Sequence, residues 1–182
     1  MKKLLMAAAL MLAAATASAQ LYLGGSIGLN REPSDNQTTF TIAPELGYNF
    51  NEQWAVGGTL DFTHLYTDGM STNLFSIEPY ARYSYFTYDR VRLFVDGGFG
   101  VGFGKSKEGD YKSDTYTVYN IGFRPGVAFD INEKAGLVAH FGFLGYQGGN
   151  DAAKESGLDV AQEKFGFDFS SMNLQLGFYI NF

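Results

Sequence analysis

Cysteine is absent from the chain, and histidine occurs only twice. Disulfides and thiolate metal sites are excluded together, and two histidines with scattered carboxylates make no readable metal-ligand set. Positive charge is scarce too: 13 Lys and Arg stand against 19 Asp and Glu, a formal net charge of −6. That balance argues against nucleic acid as a partner, because such binding rests on cations that neutralise phosphates. Proline is limited to four residues. Beyond residue 19 no apolar run approaches the roughly 20 residues of a membrane-spanning helix, which excludes a helical membrane protein.

What is present begins with "MKKLLMAAALMLAAATASAQ". Lys2 and Lys3 form a positive n-region, residues 4–15 an apolar run, and Ala17-Ser18-Ala19 a small-residue cleavage site. This reads as a secretory signal peptide over residues 1–19, cut between Ala19 and Gln20, leaving one domain over residues 20–182. No cysteine follows the site, so a lipid-anchored lipoprotein is excluded.

Aromatic residues make up 16% of the chain and glycine supplies 23 positions, a composition suited to many strands. Eight segments alternate apolar and polar residues with period two, the pattern of strands whose two faces meet different surroundings. They cover residues 20–29, 39–50, 54–66, 74–88, 91–103, 116–130, 135–146 and 172–182. The fifth, "VRLFVDGGFGVGF", sets Val91, Leu93, Val95, Phe99, Val101 and Phe103 against Arg92, Asp96 and glycines. The last, "MNLQLGFYINF", alternates from Met172 to Phe182.

Connections after even-numbered segments are tight, and those after odd-numbered ones are longer and polar. Short turns at one end and long loops at the other predict an outer-membrane barrel with periplasmic turns and external loops. An even strand number puts both termini on the turn side. Three stretches, "APELGYNFNEQWAVGG", "EPYARYSYFTYDRVRLF" and "RPGVAFDINEKAGLV", repeat a hairpin. Pro44, Pro79 and Pro125 fall in these repeats. A proline within a paired strand marks a bulge or a strand start, and a bulge is expected near each.

A soluble barrel turns its apolar face inward and a membrane barrel turns it outward. Charges decide between them. One face carries Glu45, Asp61, Glu78, Arg82, Arg92, Asp96 and Arg124, and an Arg facing lipid at the midplane costs about 2–4 kcal/mol. Turned inward, four acids and three arginines can pair as a lumen charge network. The outward face then meets outer-membrane lipids, with Tyr48, Phe50, Trp54, Tyr83, Tyr85 and Phe129 as an aromatic belt near the turns.

These features resemble the small eight-stranded outer-membrane barrel family that includes OmpX and the membrane domain of OmpA. The resemblance spans residues 20–182. It implies an all-β, eight-stranded antiparallel up-and-down transmembrane barrel in the outer membrane of a Gram-negative bacterium. It also implies that Phe178, Ile180 and Phe182 carry the signal read by the barrel-assembly machinery. Unlike OmpA, the chain is expected to carry no peptidoglycan-binding domain after the barrel.

No enzyme is expected, and no cofactor. His64 falls on the outward face near the outer rim and reads as a belt residue. His140 falls in the lumen, placed there with Tyr146, Gly136 and Gly142, and reads as a hydrogen-bonded interior group. "GGFGVGFG" and "GGNDAAKESG" lack the strand–loop–helix setting of a phosphate loop. The last loop, about 24 residues with an acidic excess, is a candidate surface for an extracellular ligand, and "DAAKESGLDVAQEKF" a candidate short helix. Two functional classes follow: a structural or surface-interaction barrel, and a narrow porin-like or hydrophobic-ligand transporter.

Overall fold

The structure, a computed structural model, describes residues 20–32, 36–67, 70–108, 111–112, 115–155, 161–169 and 175–182. Ala19, Met172 and Leu174 lie outside the described residues. Five strands come first: β1 (Leu21–Glu32), β2 (Gln37–Asn49), β3 (Trp54–Thr67), β4 (Met70–Tyr88) and β5 (Val91–Glu108). They are followed by β6 (Tyr111–Lys112), β7 (Tyr116–Asp130), β8 (Ala135–His140) and β9 (Phe143–Gly149). A short helix, α1 (Asp151–Glu155), precedes β10 (Lys164–Asp168) and β11 (Gln175–Asn181).

All pairings are antiparallel, and the order β1-β2-β3-β4-β5-β7-β8-β11 returns to β1. The closing ladder pairs Tyr22 with Asn181 and Ile27 with Leu176. β8 and β9 form one interrupted stave, and β10 and β11 the next, so the wall is a closed eight-stranded up-and-down barrel. Closure matters because a sheet edge in hydrocarbon leaves N–H and C=O groups without partners. Gln20 and Phe182 lie beside the tight turns: Asn49 N–H donates to Gln20 O (2.7 Å) and Phe182 N–H to Leu21 O (3.0 Å). Gln20 and Phe182 thus lie on the tight-turn, periplasmic side.

Two turns repeat one chemistry. In "FNEQW" the Asn51 side-chain oxygen accepts from Gln53 N (2.9 Å) and Trp54 N (2.8 Å). In "INEKA" Asn132 accepts from Lys134 N and Ala135 N, both at 2.9 Å. An Asn closing a turn on nearby amides explains why these repeats share Asn-Glu at their tips. The third tip uses Asp89 at φ +49°, a left-handed position that Asp tolerates.

The alternation sorts side chains as a membrane barrel demands. Leu29 (77% exposed), Ile27 (64%) and Ile121 (61%) face outward, whereas Glu45, Arg82 and Asp96 are buried. Exposed apolar surface on this scale is incompatible with water and suited to lipid.

The structure departs from the sequence expectations in several places. Strands run on past the hydrophobic alternation at the loop end, β4 starting at Met70 and β5 reaching Glu108. Those Ser, Thr and Lys positions continue the ladder above the lipid, where neither face need be apolar. The last long loop is shorter than expected, because Lys164–Asp168 pairs with β9. Helix α1 covers only Asp151–Glu155 of the described residues.

The prolines behave differently as well. The register passes without shift through Gly25↔Pro44, Gly58↔Pro79 and Val95↔Pro125, all within strands. At Pro44 and Pro79 there is no bulge. Instead the opposite ladder lapses for two positions and resumes in register, between Ile42↔Phe62 and Glu45↔Thr59, and between Ile77↔Val101 and Tyr80↔Gly98. A missing N–H on that side is the physical reason. A bulge lies at Tyr85, between Ser84 and Phe86. Beside Pro125 the irregularity falls on the partner strand, where Gly126↔His140 gives way to Phe123↔Leu144. Gly142 there adopts φ +76°, a glycine conformation. The extra residue reverses the phase, so Phe143 is buried inward and Tyr146 turns away from the lumen. The expected seventh strand is thus two strands, and His140 does not share the lumen with Tyr146.

An edge-free ladder resists detergent. Unheated purified protein is expected to migrate differently from boiled protein on a denaturing gel, with a β-type circular-dichroism spectrum. Identical migration with a helical spectrum would contradict the closed barrel.

Candidate functional site in the barrel lumen

The lumen side chains form three layers. Toward the periplasm, Tyr22, Phe94 and Tyr179 pack with Ala55, Ala128 and Val138. At the centre lie the charges. Toward the outside, Tyr116 and Val118 are covered by Ala153 of α1 and by Ala161, with Leu74 packed against them.

Arg82 organises the centre. Its Nε donates to Asp96 Oδ1 (2.7 Å), and its Nη2 donates to Asp96 Oδ2 (2.8 Å) and Glu45 Oε1 (3.1 Å). The fork matches the carboxylate in a bidentate pair, the geometry Arg supplies and Lys does not. His140 Nε2 stands 2.9 Å from Asp96 Oδ2, and Tyr80 donates its hydroxyl to Glu45 while touching the Tyr22 hydroxyl. The Arg82 guanidinium lies 4.2 Å from the Phe94 ring centroid, a cation–π contact sheltered from water.

A second group joins Arg124 to both Glu78 oxygens, with Asn120 Nδ2 donating to Glu78 Oε1 (3.0 Å). Phe143 lies under this pair, 5.7 Å from the Arg124 guanidinium. The third group is nearer the periplasm: Arg92 Nη2 donates to Tyr179 OH (2.9 Å) and lies 3.6 Å from Asp130 Oδ1. Asp61 accepts from Thr59 Oγ1 (2.9 Å) and has no cation within ion-pair distance among the described residues.

The seven expected lumen charges therefore separate into two central ion groups, a peripheral Arg92 group and a hydrogen-bonded Asp61. Sequence reasoning put Asn120, Tyr22 and Tyr179 on the inward face without giving them partners, and missed Asp130 and the inward rings of Tyr80, Phe94 and Tyr116. The signal for the rings was present: Tyr22, Tyr80, Phe94, Tyr116 and Tyr179 stand directly opposite Gly47, Gly57, Gly126, Gly104 and Gly136. A methyl group would overlap the ring at Gly47, Gly57, Gly126 and Gly136, and at Gly104 it would crowd Tyr116 and overlap the Asn73 carbonyl. Glycine on one strand makes room for an aromatic on the next.

The expected belt residues lie near the turns on the outward face. Tyr48 and Phe50 meet edge-on at 5.3 Å, and Trp54 and Tyr83 lie against each other at a 35° tilt with centroids 4.7 Å apart. Tyr85, at the bulge, and Phe129 are exposed. Phe178 and Ile180 face outward from β11, opposite Gly25 and Leu23. His64 lies outward at the outer rim, hydrogen-bonded to Asn73. No cluster of metal-ligating side chains occurs among the described residues.

A closed eight-stranded wall, apolar outside and filled with paired charges inside, defines a small outer-membrane β-barrel protein. The chain belongs to the outer membrane protein beta-barrel domain family, whose model it matches over residues 4–182. It is similar to the N-terminal β-barrel domain of Pseudomonas aeruginosa OprF, with 16% identity and TM-score 0.55 over 90% of this chain and 98% of that one. Neisserial surface protein A gives 15% identity and TM-score 0.54, covering 91% and 98%. The attachment invasion locus protein Ail of Yersinia pestis gives 15% identity and TM-score 0.50, covering 90% and 97%. No curated protein shows significant similarity to the chain. Family and fold place the protein in the Gram-negative outer membrane.

The three charge groups are not equivalent. Replacing Arg82 by Ala strands Glu45 and Asp96 without a counter-ion, a loss of about 3–5 kcal/mol for a buried pair. Arg92 is one-quarter exposed and Asp130 over one-third, so Arg92→Ala is expected to cost about 1 kcal/mol or less. Denaturant unfolding in detergent micelles measures both, and equal small losses would mean a hydrated centre.

Proposed function

We propose that the protein is a non-enzymatic structural and surface-interaction barrel, a wall element of the envelope that displays its outer loops to extracellular ligands or surfaces. The supporting observation is the state of the lumen. Its central space is about 40 Å³, bounded by Glu45, Glu78, Arg82, Asp96, Arg124 and His140. A water needs roughly 10–15 Å³ by the same measure, so this space holds a few waters and no solute.

The outer mouth is covered as well. Asn150 caps α1 by accepting from Ala153 N (3.1 Å) and fixes it to β7 by accepting from Thr117 N (3.1 Å). Lys154 donates to Glu163 Oε1 (2.6 Å), tying α1 to the start of β10. This hydrogen bond raises the Lys154 pKa and lowers that of Glu163. The names of Neisserial surface protein A and the attachment invasion locus protein accord with a surface role. Reconstituted in planar bilayers, the protein is expected to give no stable unitary conductance. Reproducible channel steps would favour the narrow porin-like reading.

The assembly partner is proposed on the family resemblance together with the outward row Phe178, Ile180 and Phe182. Deleting Phe182 is expected to reduce insertion in cells far more than it reduces stability after refolding in detergent. One belt aromatic contributes at most about 1.5–3 kcal/mol of burial, whereas lost recognition by the assembly machinery leaves the chain uninserted. Cell fractionation beside denaturant unfolding of refolded protein separates the two, and normal insertion in cells defeats this reading.

A further inference from the structure

On the outward wall near the outer rim, strands β2 to β5 leave a groove of about 520 Å³. Its floor is a continuous cross-strand row in which Ile42 pairs with Phe62, Phe62 with Phe75, and Phe75 with Phe103. The Phe62 and Phe75 rings are 4.9 Å apart. Strands spaced about 4.8 Å apart make this floor broader than a single acyl chain.

The next outward row toward the rim starts at Phe40, which pairs with His64, and is polar from there on. His64 pairs with Asn73, and Asn73 with Lys105, all three exposed. His64 Nδ1 donates to Asn73 Oδ1 (2.9 Å), which occupies the amide oxygen and leaves the Asn73 N–H donors for another group. No ion pair of Lys105 occurs among the described side chains. None of the described outward residues in the outer halves of β2 to β5 is acidic. This occurs on a chain of net charge −6. Local donors and a cation above an aromatic floor are the complement of an amphiphile with an anionic head. At the edge of hydrocarbon such a charge pair is screened less than in water.

We propose that this groove is a binding site for a phosphate-bearing, multiply acylated lipid of the outer leaflet. Acyl chains lie on the Phe62, Phe75 and Phe103 row, and a phosphate is held by Lys105 with N–H donors from Asn73. The groove opens at the long-loop end, which selects the outer leaflet over the inner. The site is independent of the lumen and of the surface role proposed above.

Native mass spectrometry of the mature barrel in a neutral detergent tests the site. The probes are bis-phosphorylated lipid A, the same lipid stripped of phosphate, and phosphatidylglycerol. Retention of lipid A is expected to exceed that of the stripped lipid about tenfold, the value of one charge-assisted contact. Lys105→Glu removes that preference, whereas Lys134→Glu at the periplasmic turn keeps it. Lys105→Gln gives the same reading should the charge reversal fail to fold, and heat-dependent gel migration certifies each variant. Equal retention of phosphorylated and stripped lipid overturns the proposal, as does a preference that survives in Lys105→Glu or Lys105→Gln. Equal retention of phosphatidylglycerol overturns the assignment to this lipid class. So does a second copy of the chain that occupies the groove and excludes lipid A.

Discussion

Every residue of the wall has to place its N–H and C=O on a neighbouring strand, because hydrocarbon offers no substitute partner. The β1–β11 ladder is where this requirement is met for the wall as a whole, since it joins the last stave to the first. Closure then fixes what the two faces become. Outward positions need only be apolar, and Leu, Ile, Val and Phe fill most of them. Inward positions share a narrow space shut off from lipid and nearly shut off from water, so their polar groups must satisfy one another.

That second demand explains the arrangement around Arg82. Two buried carboxylates with no cation between them would repel each other in a poorly screened space. A guanidinium satisfies both at once through donors fixed in a plane, with Phe94 against its face. The tyrosines extend the same logic. Tyr80 donates a hydrogen bond to Glu45 and meets Tyr22, joining the polar centre to the aromatic layer beneath it. Above the charges, Ala153 of α1 and Ala161 bring small side chains to the mouth, packed with Tyr116 and Val118.

Much of this was legible in the sequence, because lipid on one side and a polar lumen on the other impose period-two alternation. The sixth segment was readable to the residue, and the fifth at its turn end. Legibility failed where alternation stops carrying information. The strand ends above the lipid are polar on both faces, and β10 carries Phe165 and Phe167 in a stretch read as loop. At Phe141–Gly142 one inserted residue inverted the phase, which no periodic rule anticipates. Charged residues were placed on the correct face, yet their grouping depended on register and shear. Arg82 and Asp96 are directly paired across β4 and β5, while Glu45 reaches the same guanidinium from β2. Asp130 escaped notice because it sits at a strand end, where a carboxylate is unremarkable.

The aromatic–glycine pairs lining the lumen also reshape how the chain tolerates change. In a water-soluble protein, trading one large interior side chain for a smaller one is costly, and adding a methyl to a surface glycine is mild. Here the hierarchy is turned around. Leu, Ile and Phe on the outward wall border a fluid solvent that adapts to their shape, so they can drift among one another over generations with little consequence. Gly47, Gly57, Gly104, Gly126 and Gly136 lie against inward rings that a side chain would have to displace. The smallest residues of the barrel are thus its least replaceable, and sequence drift in related chains should be slowest where the side chain is a single hydrogen.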